Sequence, residues 1–163
     1  MFKKILVPLD GSTFSERALP YAVEMARHFD GEILLLQVVQ PAPVIYPAVA
    51  GQTVPTAVNT QLVMEAAQEQ NKANINQAKR YLSNRVRQIA KRGIRCSYYA
   101  VLGEAAETII QFSRKKHISL VVMTTRGKSG IKRALLGSVA DKVIREPGIH
   151  VLAIRPENRI KKS

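Results

Sequence analysis

Glu32-Ile33-Leu34-Leu35-Leu36-Gln37-Val38-Val39 is an almost unbroken apolar run, without the polar alternation of a strand that has one face in water. A strand of this kind is covered by helices on both faces, and that points to a parallel sheet. Upstream, Asp30-Gly31 closes a helix in which Leu19, Ala22, Val23, Ala26 and Phe29 recur at helical intervals. Thr13 with Glu16 three residues later has capping-box spacing for its start. Before that helix, Ile5-Leu6-Val7 stops at Pro8-Leu9-Asp10-Gly11, a buried strand ending in a turn.

Downstream, residues 41–60 hold Pro41, Pro43, Pro47 and Pro55 around Val44, Ile45 and Tyr46, a composition that resists regular structure and marks a lid or binding loop. From about Gln61 to Arg92 neither proline nor glycine intervenes. There Leu62, Ala66, Ile75, Ala78, Leu82, Val86 and Ile89 mark an apolar stripe on a long helix, and Gly93 supplies its stop. A strand near Arg95 to Val101, a helix from about Glu104 to Lys116 and a strand from Ile118 to Met123 follow. A loop, a helix from Ser138 to Arg145 and a last strand from His150 to Ile154 complete the chain.

The resulting βαβαβαβαβ order predicts a Rossmann-like α/β fold. Its five-stranded parallel sheet is doubly wound through right-handed crossovers, with helices on both faces and strand order 3-2-1-4-5. Ligands of such sheets bind outside the carboxyl ends of the strands, where the winding reverses, so the loops after strands one and four are the places to look.

The 163 residues suit one domain, expected over 1–156 with a basic tail at 157–163. No apolar stretch reaches the roughly 18 to 20 residues a bilayer crossing requires, and no secretory leader pattern is present, so a cytoplasmic setting without membrane attachment is expected. Cys96 is the single cysteine, which excludes an internal disulfide and makes a cysteine-based metal site improbable. It lies in a predicted buried strand, where an inert thiol is the simpler reading. His28, His117 and His150 have no metal-pair spacing, and no metal ligand is assigned. The formal net charge of +13 implies attraction to polyanions. The cations are dispersed and not interleaved with aromatics, which favours a generally basic surface over a dedicated nucleic-acid site.

The segment after strand four reads Met123-Thr124-Thr125-Arg126-Gly127-Lys128-Ser129-Gly130-Ile131-Lys132-Arg133-Ala134-Leu135-Leu136-Gly137-Ser138-Val139. It combines flexible glycines, hydroxyls and four cations, and Gly137-Ser138 opens a helix whose N–H groups favour phosphate. A triphosphate fits that chemistry; a tight, basic surface loop is the plainer alternative. The glycine five residues before Gly127 that a P-loop needs is replaced by Val122, and Gly11 is alone in the first turn, so neither a Walker A nor a dinucleotide fingerprint is present. Asp10, at the end of strand one, suits either a ribose or base contact or an Asx turn. No serine elbow or readable triad supports covalent catalysis, and Glu104 and Glu107 are explained by the dipole of the helix they open. No catalytic residue is assigned.

Lys4-Ile5-Leu6-Val7-Pro8-Leu9-Asp10-Gly11-Ser12 resembles the opening of universal stress proteins, and Arg126 through Val139 resembles their nucleotide loop. In the ATP-binding branch that loop has a glycine, two residues, a glycine, nine residues, then glycine and serine or threonine. Gly127, nine residues and Gly137-Ser138 match its later part. Thr124 stands where the first glycine falls, a replacement that suits extended backbone but not a left-handed one.

The resemblance implies an ATP-binding regulatory protein of the stress response, with or without Mg²⁺ and at most a slow hydrolase. It implies that Asp10 binds the ribose or adenine end and that the backbone around Pro8, Leu9 and Val38 lines the adenine pocket. Met123, Thr124, Arg126, Gly127, Gly137, Ser138 and Val139 would line the ribose-to-phosphate path. A homodimer through the strand His150 to Ile154 is implied as well. The alternatives are a nucleotide-free adaptor acting through protein contacts and, with less support, a nucleic-acid binder drawn by the positive charge.

Overall fold

The fold is that of a computed structural model, which describes residues 1–44, 57–125 and 136–155. The strands are β1 (Lys4–Pro8), β2 (Glu32–Val39), β3 (Cys96–Leu102), β4 (Leu120–Thr124) and β5 (Val151–Ile154). Between them lie α1 (Leu19–Phe29), α2 (Ala57–Ala90), α3 (Ala105–Lys115) and α4 (Ser138–Ile144). All strand pairs are parallel and the order is β3-β2-β1-β4-β5, as the alternation of the sequence predicts.

Strand alternation divides the core in two. Ile5, Val7, Ile33, Leu35 and Val122 face α1 and α2, packing on Ala22, Val23, Ala26, Leu82 and Ile89. Leu6, Leu34, Leu36, Val121 and Met123 face the other way, onto Ala106, Ile109 and Ile110 of α3 and Ala140 and Val143 of α4. Because both sides of β1 and β2 are covered, each of these large side chains contributes about 1.5 to 3 kcal/mol of burial. The continuous apolar reading of these strands follows from that double cover.

Two local expectations are corrected. Thr13 and Glu16 do not form a capping box: the chain first makes a 3₁₀ turn over Ser15–Ala18, and α1 begins only at Leu19 with Pro20 in its opening positions. Ser12 takes over the local role, its Oγ accepting from Ser15 N at 3.1 Å. Glu16 reaches instead to α2, where it accepts from Tyr81 Oη at 2.8 Å and pairs with Arg85 at 2.7 Å.

The apolar stripe of α2 enters the core only along its second half. Ala78, Leu82 and Ile89 are buried, whereas Leu62 is 59% exposed and Ala66 lies open. Length explains the division. A helix of 34 residues is about 51 Å long, while the eight residues of β2 span about 26 Å. Since α2 joins two parallel strands it must run back against them, so its second half lies over the sheet and its first half projects past the strands' carboxyl ends.

The close of α1 divides between two residues. Asp30 takes the left-handed conformation, with φ 46°, and its carboxylate pairs with Lys3 at 3.2 Å. Gly31 is needed for proximity: a Cβ there would lie 2.7 Å from Phe2 O and 3.2 Å from Lys3 O. Gly93, with φ 76°, ends the turn after α2 as its sequence position predicts. Among the described residues no helix is long and apolar enough to cross a membrane.

Candidate functional site

The chain winds outward from β1 through β2 to β3, then returns to lay β4 on the other side of β1. The connections leaving β1 and β4 therefore part to opposite faces and open a crevice at the carboxyl edge. A cleft of about 930 Å³ lies there, within the range of small-molecule sites. One wall is formed by Ala105 and Ile109 of α3 with Val139 and Ala140 of α4; the other by Asn74, Gln77, Ala78 and Tyr81 of α2. The floor is formed by the ends of β1, β2 and β4.

Of the residues singled out in the sequence, Pro8, Leu9, Asp10, Val38, Met123, Thr124, Gly137, Ser138 and Val139 all line this cleft. Arg126 and Gly127 lie outside the described residues, as do most of the segment 41–60 and the tail 157–163. Positions separated by more than a hundred residues thus meet because β1 and β4 are neighbours in the sheet.

Asp10 forms the Asx turn that was one of its two readings. Its Oδ1 accepts from Ser12 N at 2.9 Å and from Ser12 Oγ at 2.6 Å. Its own N–H donates to Ser15 Oγ at 3.3 Å. These bonds hold the carboxylate at the rim of the cleft in one direction. It is the one charged side chain among the described cleft residues.

Thr124 closes β4 in extended backbone, opposite Ile154. Among the described residues the non-glycine positions with positive φ are Asp30 and His117, so threonine carries no left-handed strain at 124. Thr125 follows, its N–H donating to Ile154 O at 2.9 Å and its carbonyl accepting from Gly137 N at 2.7 Å. That last bond ties the start of α4 to the end of β4. Gly137 itself is extended, with φ −75° and ψ 153°, and as the N-cap of α4 it offers no side chain to the first turn of the helix. The turn's N–H groups are accordingly left uncapped by any side chain at that position.

Two buried oxygens on the cleft wall lack a hydrogen-bond partner among the described residues: Thr125 Oγ1 and Gln37 Oε1. Thr125 is only 8% exposed. Native interiors leave few such groups, and an orphaned oxygen facing a cavity marks a place where a ligand completes the bonding. The sequence reading passed over both residues, along with Asn74, Gln77 and Tyr81. The signal for Gln37 was available, since it is the one polar residue inside the run Ile33–Val39. Nothing in the sequence announces the α2 residues, which reach the cleft only through helix packing.

Tyr81 belongs to a cluster that joins the α2 wall to the turn after β1. Its ring lies under the Arg85 guanidinium, 5.4 Å from the centroid, and both groups hold Glu16. Burial, then the hydrogen bond to Glu16, raises its hydroxyl well above the ordinary tyrosine range, so it remains a donor. Glu104 accepts from Glu107 N at 2.8 Å and so caps α3; that bond holds its carboxyl below the ordinary value. The three histidines are spread out: His28 packs edge-on against Phe29, His150 lies 6.0 Å from Phe2, and His117 sits past the end of α3.

Comparison with known proteins agrees with this architecture. Residues 1–155 match the model of the universal stress protein family. The universal stress protein YxiE of Bacillus subtilis is 32% identical over 155 residues, covering 95% of this chain and 100% of that one. The solved structure of MJ0577, a universal stress protein of Methanocaldococcus jannaschii, superposes with a TM-score of 0.80 at 25% identity, covering 97% of this chain and 99% of that one. A universal stress protein from Archaeoglobus fulgidus, solved in complex with dAMP, superposes with a TM-score of 0.62 at 21% identity, covering 94% and 98% of the two chains.

Proposed function

The chain belongs to the universal stress protein family, and from that premise we propose that it is an ATP-binding regulatory protein of the stress response. It holds adenine nucleotide between the loop after β1 and the glycine loop after β4. The observation that carries the reading is the Thr125 hydroxyl, buried, without a partner among the described residues, and lining the cleft beside the uncapped start of α4. A hydroxyl donor next to helix N–H groups suits phosphate oxygens. Arg126, Lys128, Lys132 and Arg133 supply cations in the same loop of the sequence. At the other end, Asp10 accepts from ribose hydroxyls, and the backbone around Pro8, Leu9 and Val38 takes the base. The dAMP complex of the Archaeoglobus relative supports an adenine nucleotide as the guest of this fold.

Regulation is the reading because the described cleft presents no general base beside a nucleophile; the output would be a change of surface on binding. The exposed edge strand β5, with Val151 and Leu152 half-buried and Ala153 open, suits a homodimer that covers that edge. A cytoplasmic site of action accompanies this reading.

The test is the identity of any nucleotide released when purified, never-dialysed protein is denatured, followed by titration of the emptied protein with ATP and magnesium. Adenine nucleotide at near one per chain with saturable rebinding is expected. Gly137→Val should remove that binding, because a branched side chain at the tie between Thr125 and α4 displaces the helix start. An empty protein that ignores ATP would overturn the proposal in favour of an adaptor acting through protein contacts.

A further inference from the structure

Strand β2 places Ile33 and Leu35 toward α1 and α2, and strand alternation puts Gln37 on that same face. Packing alone calls for another aliphatic residue there, because every neighbour before it in the strand from Ile33 to Leu36 is buried and apolar. Instead the position carries a carboxamide whose Oε1 is buried and has no hydrogen-bond partner among the described residues. Leaving a buried acceptor unpaired costs stability, so a residue retained there is explained by a donor that arrives from the cleft.

The chemistry of that donor follows from the surroundings. Gln37, Gln40, Asn74 and Gln77 put four carboxamides along the β2 and α2 side of the cleft, and the described residues of that side include no cation. Such a wall is unsuited to phosphate and suited to a neutral polar edge that mixes donors and acceptors. The α2 part of the wall is held in place at two points. Asn71 Oδ1 accepts from Ala42 N at 2.7 Å just after β2, and the Tyr81 and Arg85 pair grips Glu16 after β1.

We propose that Gln37 is a specificity-determining residue that accepts a hydrogen bond from the exocyclic amino group of the base, with the carboxamide wall of α2 selecting a 6-aminopurine. This rests on the nucleotide reading above and adds to it the group that distinguishes one base from another. A carboxamide meeting adenine's amino and ring-nitrogen edge is a recurrent pairing, and a site built to bond a polar group rejects the analogue that lacks it.

The experiment compares the emptied full-length protein with Gln37→Met, a side chain of similar volume without the amide. Each is titrated with ATP, with inosine triphosphate, which carries an oxygen in place of the amino group, and with inorganic tripolyphosphate; each is also unfolded in urea without ligand. The wild type should prefer ATP over inosine triphosphate, and the variant should lose about tenfold of that preference. Tripolyphosphate affinity should stay unchanged, and the ligand-free variant should be no less stable than the wild type. An ATP to inosine triphosphate ratio that survives the substitution overturns the proposal while leaving nucleotide binding intact. A marked loss of stability in the ligand-free variant also overturns it, by making Gln37 a structural residue. A wild type that binds neither nucleotide refutes this assignment and the nucleotide reading together.

Discussion

Replacing leucine by alanine at two places on α2 tests whether the helix is half inside and half outside the domain. Leu82 has no exposed surface and packs against Val7, Leu35 and their neighbours, whereas Leu62, twenty residues earlier, is 59% exposed. The substitution is chemically identical, and both sites are helix interior, so the difference in helix propensity between leucine and alanine cancels. Leu82→Ala removes a buried side chain from a core closed on both sides and should cost about 2 to 5 kcal/mol. Leu62→Ala removes little buried surface and should stay within about 0.5 kcal/mol. For a urea slope of about 2 kcal/mol/M these become midpoint shifts of about 1 to 2.5 M and under about 0.3 M. Urea unfolding followed by circular dichroism resolves that contrast easily. Equal shifts would refute the reasoning, since the first half of α2 would then be packed as firmly as the second.

Tyr81→Phe keeps the ring under Arg85 but removes the donor to Glu16, and should cost about 1 kcal/mol of unfolding free energy in the same assay; a neutral result would mean that Arg85 alone holds Glu16. Gly31→Ala should destabilise by about 1 to 3 kcal/mol, because the new methyl meets the backbone oxygens of Phe2 and Lys3 and not a yielding side chain; a stabilising effect would disprove the close approach. Burial pushes the Cys96 thiol up to about 12, while an unfolded cysteine ionises near 8.5. The unfolded chain therefore releases its proton first, so the thiol's contribution is fully present below about pH 8.5 and is lost as pH rises toward 12. Wild-type stability should accordingly fall more steeply than that of Cys96→Ala between about pH 9 and 11, as read from urea midpoints across that range; parallel profiles would place the thiol in water.

Much of this molecule is written locally in its chain. The apolar runs Ile5–Val7 and Glu32–Val39, each bounded by turn residues, decide strand and double cover because a strand buried on two faces tolerates few polar groups at either parity. The alternation of those runs with helical periodicities decides the doubly wound sheet, since right-handed crossovers leave few topologies open. The carboxyl-edge position of the site follows from that topology, which is why nine residues named from the sequence converge on one cleft.

What the tertiary structure alone decided is how elements distant in the chain meet. Glu16 has the spacing of a helix cap, yet its carboxylate is claimed by Tyr81 and Arg85 from 65 and more residues away, a stronger set of partners than one backbone N–H. The stripe of α2 is periodic throughout, but periodicity cannot say where the sheet beneath it ends, so Leu62 and Leu82 look alike in sequence and differ wholly in burial. Gln37 and Thr125 acquire meaning only when packing removes water from their oxygens without supplying a partner, because an unsatisfied polar atom is a property of its surroundings in space and not of its neighbours in the chain.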